Sequence, residues 1–333
     1  MRSERELSLA PFNFKKFLLV LNRRHIRVKV MQSIYAMHQK GSDNIEKEEK
    51  FLMYSIDNIL DLYLLMLSSL IEICKKEAAF LEKSSIKHLA TAEDKNANKK
   101  FVNNAVFKLL SENNSLLQAI DNRKITNWTL NDDYILLLLA DIKKSDLYAK
   151  YMKNRINTFE EDQEFIVNIF MEVIAANDKL YDYLEDYKLT WVDDIPVVNT
   201  QIIKQLKAIK SIDDANFYVP KLHKDQEDKQ FVSDLFRKTI LNEPELAKEY
   251  INKTPNWDTE RIAEIDTIIL KMAICEFLKF PSIPVKVTIN EYLEIAKEYS
   301  TPKSSIFING ILDNLIKEFQ TTNRLNKTGR GLM

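Results

Sequence analysis

The sequence predicts an all-α protein, and three features carry that expectation. Only four glycines (Gly41, Gly310, Gly329, Gly331) occur in 333 residues, too few for the turns of a sheet-rich fold or for a glycine loop around phosphates. No proline stands between Pro11 and Pro196, so no residue of that type breaks a helix from within. Apolar residues recur at helical spacing along most of the chain,. The length is enough to bury a sizeable core and to hold one to three domains.

Taken in order, residues 1–21 form a basic N-terminal extension, expected to be disordered. On a helix from Arg23 to Gln39, Ile26, Val30, Ile34 and Met37 fall at i, i+4, i+8 and i+11 and make one core-facing stripe,. His25, Lys29 and Gln32 line up on the opposite side with Arg24 close by, which from the residues alone reads as a solvated basic face. After the break at Gly41-Ser42-Asp43, a helix is expected from about Ile45 to Glu82. Leu52, Ile56, Ile59, Tyr63, Leu67, Leu70 and Cys74 give it an apolar face wide enough for burial on more than one side,. The polar stretch 84–100 reads as a solvated loop,.

From Phe101 the chain suggests repetition. FVNNAVFKLL, FIVNIFMEVI, FVSDLFRKTI and FINGILDNLI begin at Phe101, Phe165, Phe231 and Phe307, and the first three are followed by Trp128, Trp191 and Trp257. Tandem helix pairs explain this spacing; amphipathic helices with one aromatic anchor each are the plainer explanation. Further on, the periodicity predicts helices from about Ile262 to Leu278, from about Val287 to Tyr299 after a turn marked by Pro281 and Pro284, and after Pro302 to near Phe319,. Asn290 and Glu291 are expected to cap or pair locally. The tail 321–333, with Arg324, Lys327 and Arg330, reads as flexible,.

The net charge of −1 hides a polarised layout. Residues 1–29 carry eight Lys/Arg against two Glu, whereas Glu160 to Asp194 carries eleven acids against two Lys, so a polyanion should meet the N-terminal end,. Cys74 and Cys275 sit in apolar helical patterns without a CxxC partner and are expected to be buried reduced thiols, which suits a cytoplasmic protein,. Phe17–Leu21 is too short for a signal-peptide core, and the run 59–73 is broken by Asp61 and two serines, so no membrane span is expected,. His25, His38, His88 and His223 are scattered, and no HExxH, GxSxG or P-loop occurs,. Asp132-Asp133 and Asp193-Asp194 sit where helices begin and suit the helix dipole better than acid/base chemistry,. No enzyme and no cofactor is expected.

Three stretches resemble the NusB family of transcription antitermination factors: NRRHIRVKVMQSIYAMHQ from Asn22, IDTIILKMAICEFL with IPVKVTINEYLEIAKEYS, and FINGILD. The resemblance covers roughly 22–40 and 228–320, and what lies between makes this a long-insert form. It implies NusB-like helical bundles enlarged by an inserted set of repeated helix pairs. The expected organisation is a helical region over 22–225, arginine-rich first helix and insert included, and a C-terminal domain over 226–320. The family binds boxA RNA with a small-subunit ribosomal protein that doubles as NusE, and the complex helps RNA polymerase read through terminators, mainly on rRNA operons. By that resemblance Arg23, Arg24, His25, Arg27, Lys29 and Gln32 face RNA, joined by Lys303, Ser304 and Phe307 from the loop and first turn of the last helix. Lys303 stands where the family often has an acid. The alternative is a helical protein-interaction scaffold that kept the fold without the RNA.

Overall fold

The computed structural model describes residues 21–88, 90–211, 219–223, 225–251, 253 and 263–328. Among these the chain forms helices α1 (Arg23–Gln39), α2 (Ile45–Ser85), α3 (Ala92–Lys95), α4 (Ala105–Glu112), α5 (Asn114–Asn122), α6 (Asn127–Leu130), α7 (Asp132–Lys144) and α8 (Asp146–Lys153). They continue with α9 (Phe159–Ile169, extended by a π turn Phe170–Ile174), α10 (Asp178–Tyr187), a 3₁₀ turn Leu189–Trp191 and α11 (Ile195–Ala208). The last five are α12 (Gln226–Leu241), α13 (Glu243–Ile251), α14 (Glu264–Lys279), α15 (Val285–Tyr299) and α16 (Ser304–Thr321). No described residue lies in a strand, and no helix is long and apolar enough to cross a membrane. The all-α expectation is met, with extra helices inserted between the two ends of the resemblance.

The described chain divides into two compact units, one of residues 61–221 and one of 21–60 together with 222–328. In the second unit α1 packs on α12, α14 and α15. Arg27 meets Glu276 near one end of α14 and His38 meets Glu264 at the other, so α1 and α14 run antiparallel. The core joins Ile26, Val30 and Ile34 of α1 to Ile269, Met272, Ala273 and Phe277 of α14 and to Leu312, Leu315 and Phe319 of α16, all essentially inaccessible. Apart from Ala273, each such side chain contributes roughly 1.5–3 kcal/mol by leaving water. The expected flexible tail is held down as far as Thr328. Arg324 pairs with Glu249 at 2.7 Å, and Lys327 Nζ donates to the carbonyls of Glu276 and Phe280 at 3.0 and 2.9 Å. Those carbonyls end α14 and lack helical partners, which is why a lysine settles there. Arg330 and residues 1–20 lie outside the described residues.

The 61–221 unit is built around the rest of α2. Leu62 to Leu67 are six consecutive residues at 1% exposure or less, so α2 is enclosed on every side at that level,. Trp128 Nε1 donates to the Leu65 carbonyl at 3.0 Å, and the Tyr63 hydroxyl donates to Gln205. The phenylalanines that open the four similar segments differ in register. Phe101 lies in the turn ahead of α4, Phe165 inside α9, Phe231 inside α12, and Phe307 in the first turn of α16. Trp257 falls outside the described residues. Cys74 is half-buried and Cys275 buried; burial pushes both thiols up to about 11, so neither is a thiolate at neutral pH,.

Candidate nucleic-acid interface

The arginine-rich start of α1 is fixed by its own cap. The Asn22 side chain accepts from the His25 amide at 3.0 Å, and His25 Nδ1 accepts from the Asn22 amide at 3.5 Å. This reciprocal pair satisfies two of the amides a helix start leaves unpaired and orients the imidazole back along the chain. Beyond it lies a groove of about 490 Å³, lined on one side by Asn22, Arg23, Arg24 and Arg27 and on the other by Ser282, Pro284, Val287 and Glu291. The helix N-terminus and the part-exposed guanidiniums of Arg23 and Arg24 are the positive groups that this groove presents,.

The guanidiniums are not equivalent. Arg27 is 1% exposed, and its Nε and one terminal nitrogen donate to both oxygens of the fully buried Glu276 at 2.9 and 2.8 Å. That carboxylate also accepts from Thr288 Oγ1 at 2.6 Å and from the Tyr292 hydroxyl at 3.4 Å, which burial holds well above its usual pKa as a donor. Burial opposes the Arg27 charge, but the hydrogen bond and charge of Glu276 outweigh it and raise the arginine's pKa,. The guanidinium also sits over the rings of Phe231 and Tyr292, 5.3 and 5.8 Å from their centroids,. Arg24 is part-exposed and grips Glu291 with two bonds of 2.9 and 3.0 Å, while Arg23 divides itself between Asp228 and Glu227, each at 2.9 Å.

Two expectations about α1 are therefore corrected. Arg27 belongs to the interior, and Lys29, expected on the solvated side, is 4% exposed. Counting a single apolar stripe assumes one covered face, whereas α12, α14 and α15 between them cover α1 on several,. His25 and Gln32 are half-buried. Glu291, expected to act locally, lies well inside α15 and reaches back to Arg24.

The second candidate group sits elsewhere. Ser304 is buried, donates to Asp266 Oδ2 at 2.6 Å and accepts from Ser300 Oγ at 2.9 Å, which ties the start of α16 to the first turn of α14. Lys303 is exposed and Phe307 half-buried beside Ile306, which is 76% exposed. Asp266 and Glu276 are ten residues apart, which on a helix is about 15 Å,. The arginine group and the Lys303 group thus lie toward opposite ends of α14.

Sequence reasoning missed the acids that organise this end of the unit: Glu276, Asp228 and the role of Glu291. One signal was available. Glu276 is a lone acid in the apolar run IILKMAICEFL, and a carboxylate there requires a cationic partner from another element.

A family model described as "NusB family" matches residues 197–317. Three curated relatives carry the name "Transcription antitermination protein NusB". That of Salinibacter ruber is 47% identical over 113 residues, 34% of this chain and 70% of the relative. That of Chloroherpeton thalassium is 41% identical over 105 residues, 32% and 50%, and that of Natranaerobius thermophilus 42% over 99 residues, 29% and 66%. The chain thus spans from half to 70% of the length of these relatives. No solved structure matches it. Identity at this level over most of a relative, on a helical unit whose α14 to α16 carry the expected motifs, makes the chain a member of the NusB family.

Proposed function

We propose that the chain is a cytoplasmic, non-enzymatic antitermination factor that binds boxA-like single-stranded RNA with the ribosomal protein NusE and acts on the RNA polymerase elongation complex. The observation that carries this reading is the groove at the start of α1, where Arg23 and Arg24 remain part-exposed beside a helix N-terminus. Arginines there neutralise phosphates, and Gln32 or His25 reaches an unpaired base. Arg27, Lys29 and Ser304 serve from within by holding the surface in shape. Lys303 and Phe307 form a second contact, about 15 Å along α14, that a strand of a few nucleotides would span. The test is fluorescence anisotropy with a boxA-like oligonucleotide and with a scrambled one, with and without NusE. Tighter binding of the boxA sequence, strengthened by NusE and weakened by salt, is expected; equal affinity for both sequences would sink the reading.

One observation favours the scaffold alternative: Arg23 and Arg24 are already paired with Glu227, Asp228 and Glu291. On that reading RNA fails to compete for the guanidiniums at any salt, while NusE still binds.

A further inference from the structure

The 61–221 unit contains a groove of about 780 Å³ between the segment that follows α3 and the linker joining α8 to α9. The two walls are stitched together: Asn98 Nδ2 donates to the Met152 carbonyl at 3.1 Å, and Lys100 Nζ reaches the Asn154 carbonyl at 3.4 Å. Lys100 is held in place by Glu161 at 3.1 Å and by the Tyr151 ring, 4.2 Å below it. Lys99 and Arg155 differ from it. Both are exposed on the groove, and neither pairs with an acid among the described residues. The side-chain amides of Asn103 and Asn157 also line the groove and make no hydrogen bond among the described residues, and Phe159 adds a half-buried ring. The single acid in the lining, Asp162, is turned inward, accepting from the Ala105 amide at 2.8 Å and from the Tyr151 hydroxyl at 2.5 Å.

We propose that this groove is a second site for single-stranded RNA, in which Lys99 and Arg155 hold phosphates, Asn103 and Asn157 meet base or ribose edges, and Phe159 offers a stacking surface. The chemistry favours a nucleic acid over an acidic peptide, which would use the cations but leave the amides and the ring idle. The volume is that of a site for a molecule of substantial size, well beyond a free anion. The charge layout of the sequence had assigned polyanions to the N-terminal end, because Lys99 and Arg155 stand far apart along the chain and only folding sets them on one groove. The choice of RNA as the polyanion rests on the function proposed above; the groove and its uncommitted cations do not.

The test uses the full chain and a 30-nucleotide RNA containing 4-thiouridine, photocrosslinked and mapped by mass spectrometry. Crosslinks on 98–105 and 154–159, lost in Lys99→Gln/Arg155→Gln while those on α1 persist, are expected. The same double variant should flatten the dependence of log affinity on log salt by about 1.4, two phosphate contacts at roughly 0.7 each for a single strand. Crosslinks confined to α1, with an unchanged salt slope, would overturn the second site and leave the antitermination reading intact. No RNA binding anywhere would overturn both. Binding of a poly-glutamate peptide at this groove in place of RNA would also overturn the proposal, in favour of a protein partner. Both cations are exposed, so an unaltered melting temperature in the double variant confirms that the fold is kept.

Discussion

The groove at the start of α1 and the groove of the 61–221 unit carry similar cations in opposite states of commitment. In the first, Arg23, Arg24 and Arg27 all hold carboxylates of their own unit; in the second, Lys99 and Arg155 hold none among the described residues. An anion entering the first must share or displace an acid, which costs part of the Coulomb gain, whereas in the second it replaces only water. Charge counted along a sequence therefore says where a polyanion could be attracted, and the pairing of each charge says how much attraction is left.

The comparison breaks most visibly at Arg27. Arg27→Ala leaves the Glu276 carboxylate buried with two hydroxyls and no cation, and removing one partner of a buried pair costs about 3–5 kcal/mol,. Urea unfolding should show that loss, and any fall in RNA affinity should track the fraction unfolded. Arg27→Met/Glu276→Met should be less costly than the arginine change alone, since no charge is then stranded. If Arg27→Ala kept full stability and lost RNA, the guanidinium would be a contact residue after all.

Much of the fold was legible because it depends on periodicity. The helices read at 23–39, 45–82 and after Pro281 and Pro302 appear within a few residues of those limits, and the NusB motifs identify the family. The candidate site was legible only as a set of residue types. Which arginine is buried depends on α12 and α15 covering a side of α1 that pattern reading leaves to solvent. A linear division at 225/226 also separates α1 from α12, α14 and α15, the very elements it packs on. Commitments such as Arg24 to Glu291 join residues 267 positions apart, and no local signal records them.

Next in size is Lys327, which closes α14 by donating to two carbonyls. Lys327→Met should cost on the order of 1 kcal/mol, because water takes over part of what the lysine supplied. Burial lowers its pKa from 10.5 to about 8, so the folded state releases a proton that the unfolded lysine keeps until higher pH. Between about pH 8 and 10.5 this group makes stability rise with pH; below 8 its desolvation penalty is fully present. The neutral amine still donates both hydrogen bonds. The wild-type chain should therefore gain on Lys327→Met across that window in paired denaturation curves, and parallel curves would show the lysine to be solvated.

In RNA affinity the informative pair is Arg24 and Glu291. Arg24→Ala should change stability by less than about 1 kcal/mol, as expected of a part-exposed ion pair,, while reducing the salt slope of RNA binding by about 0.7. Glu291→Gln should act in the opposite direction, releasing the guanidinium and tightening binding at low salt. If both variants weakened RNA alike, the ion pair itself would be the recognised feature, and the distinction between committed and free cations would not hold at this groove.

The smallest effect is expected at Lys303. Its loop is tied to Asp266, about 15 Å along α14 from Glu276 and the arginines,, nearly twice the Debye length of about 8 Å at physiological salt. A strand confined to the α1 groove would therefore not register Lys303→Glu under those conditions. Near 0.01 M salt, where the Debye length is about 30 Å, the reversal should weaken binding measurably. If the strand continues to Phe307, the loss persists at physiological salt and grows with oligonucleotide length. Stability supplies the control, because Lys303 stands at the N-terminal boundary of α16 and an acid there favours the helix dipole. The melting temperature should hold or rise slightly as affinity falls. A length-independent loss accompanied by a lower melting temperature would instead mark Lys303 as part of the joint between α14 and α16, and would confine RNA contact in this unit to the start of α1.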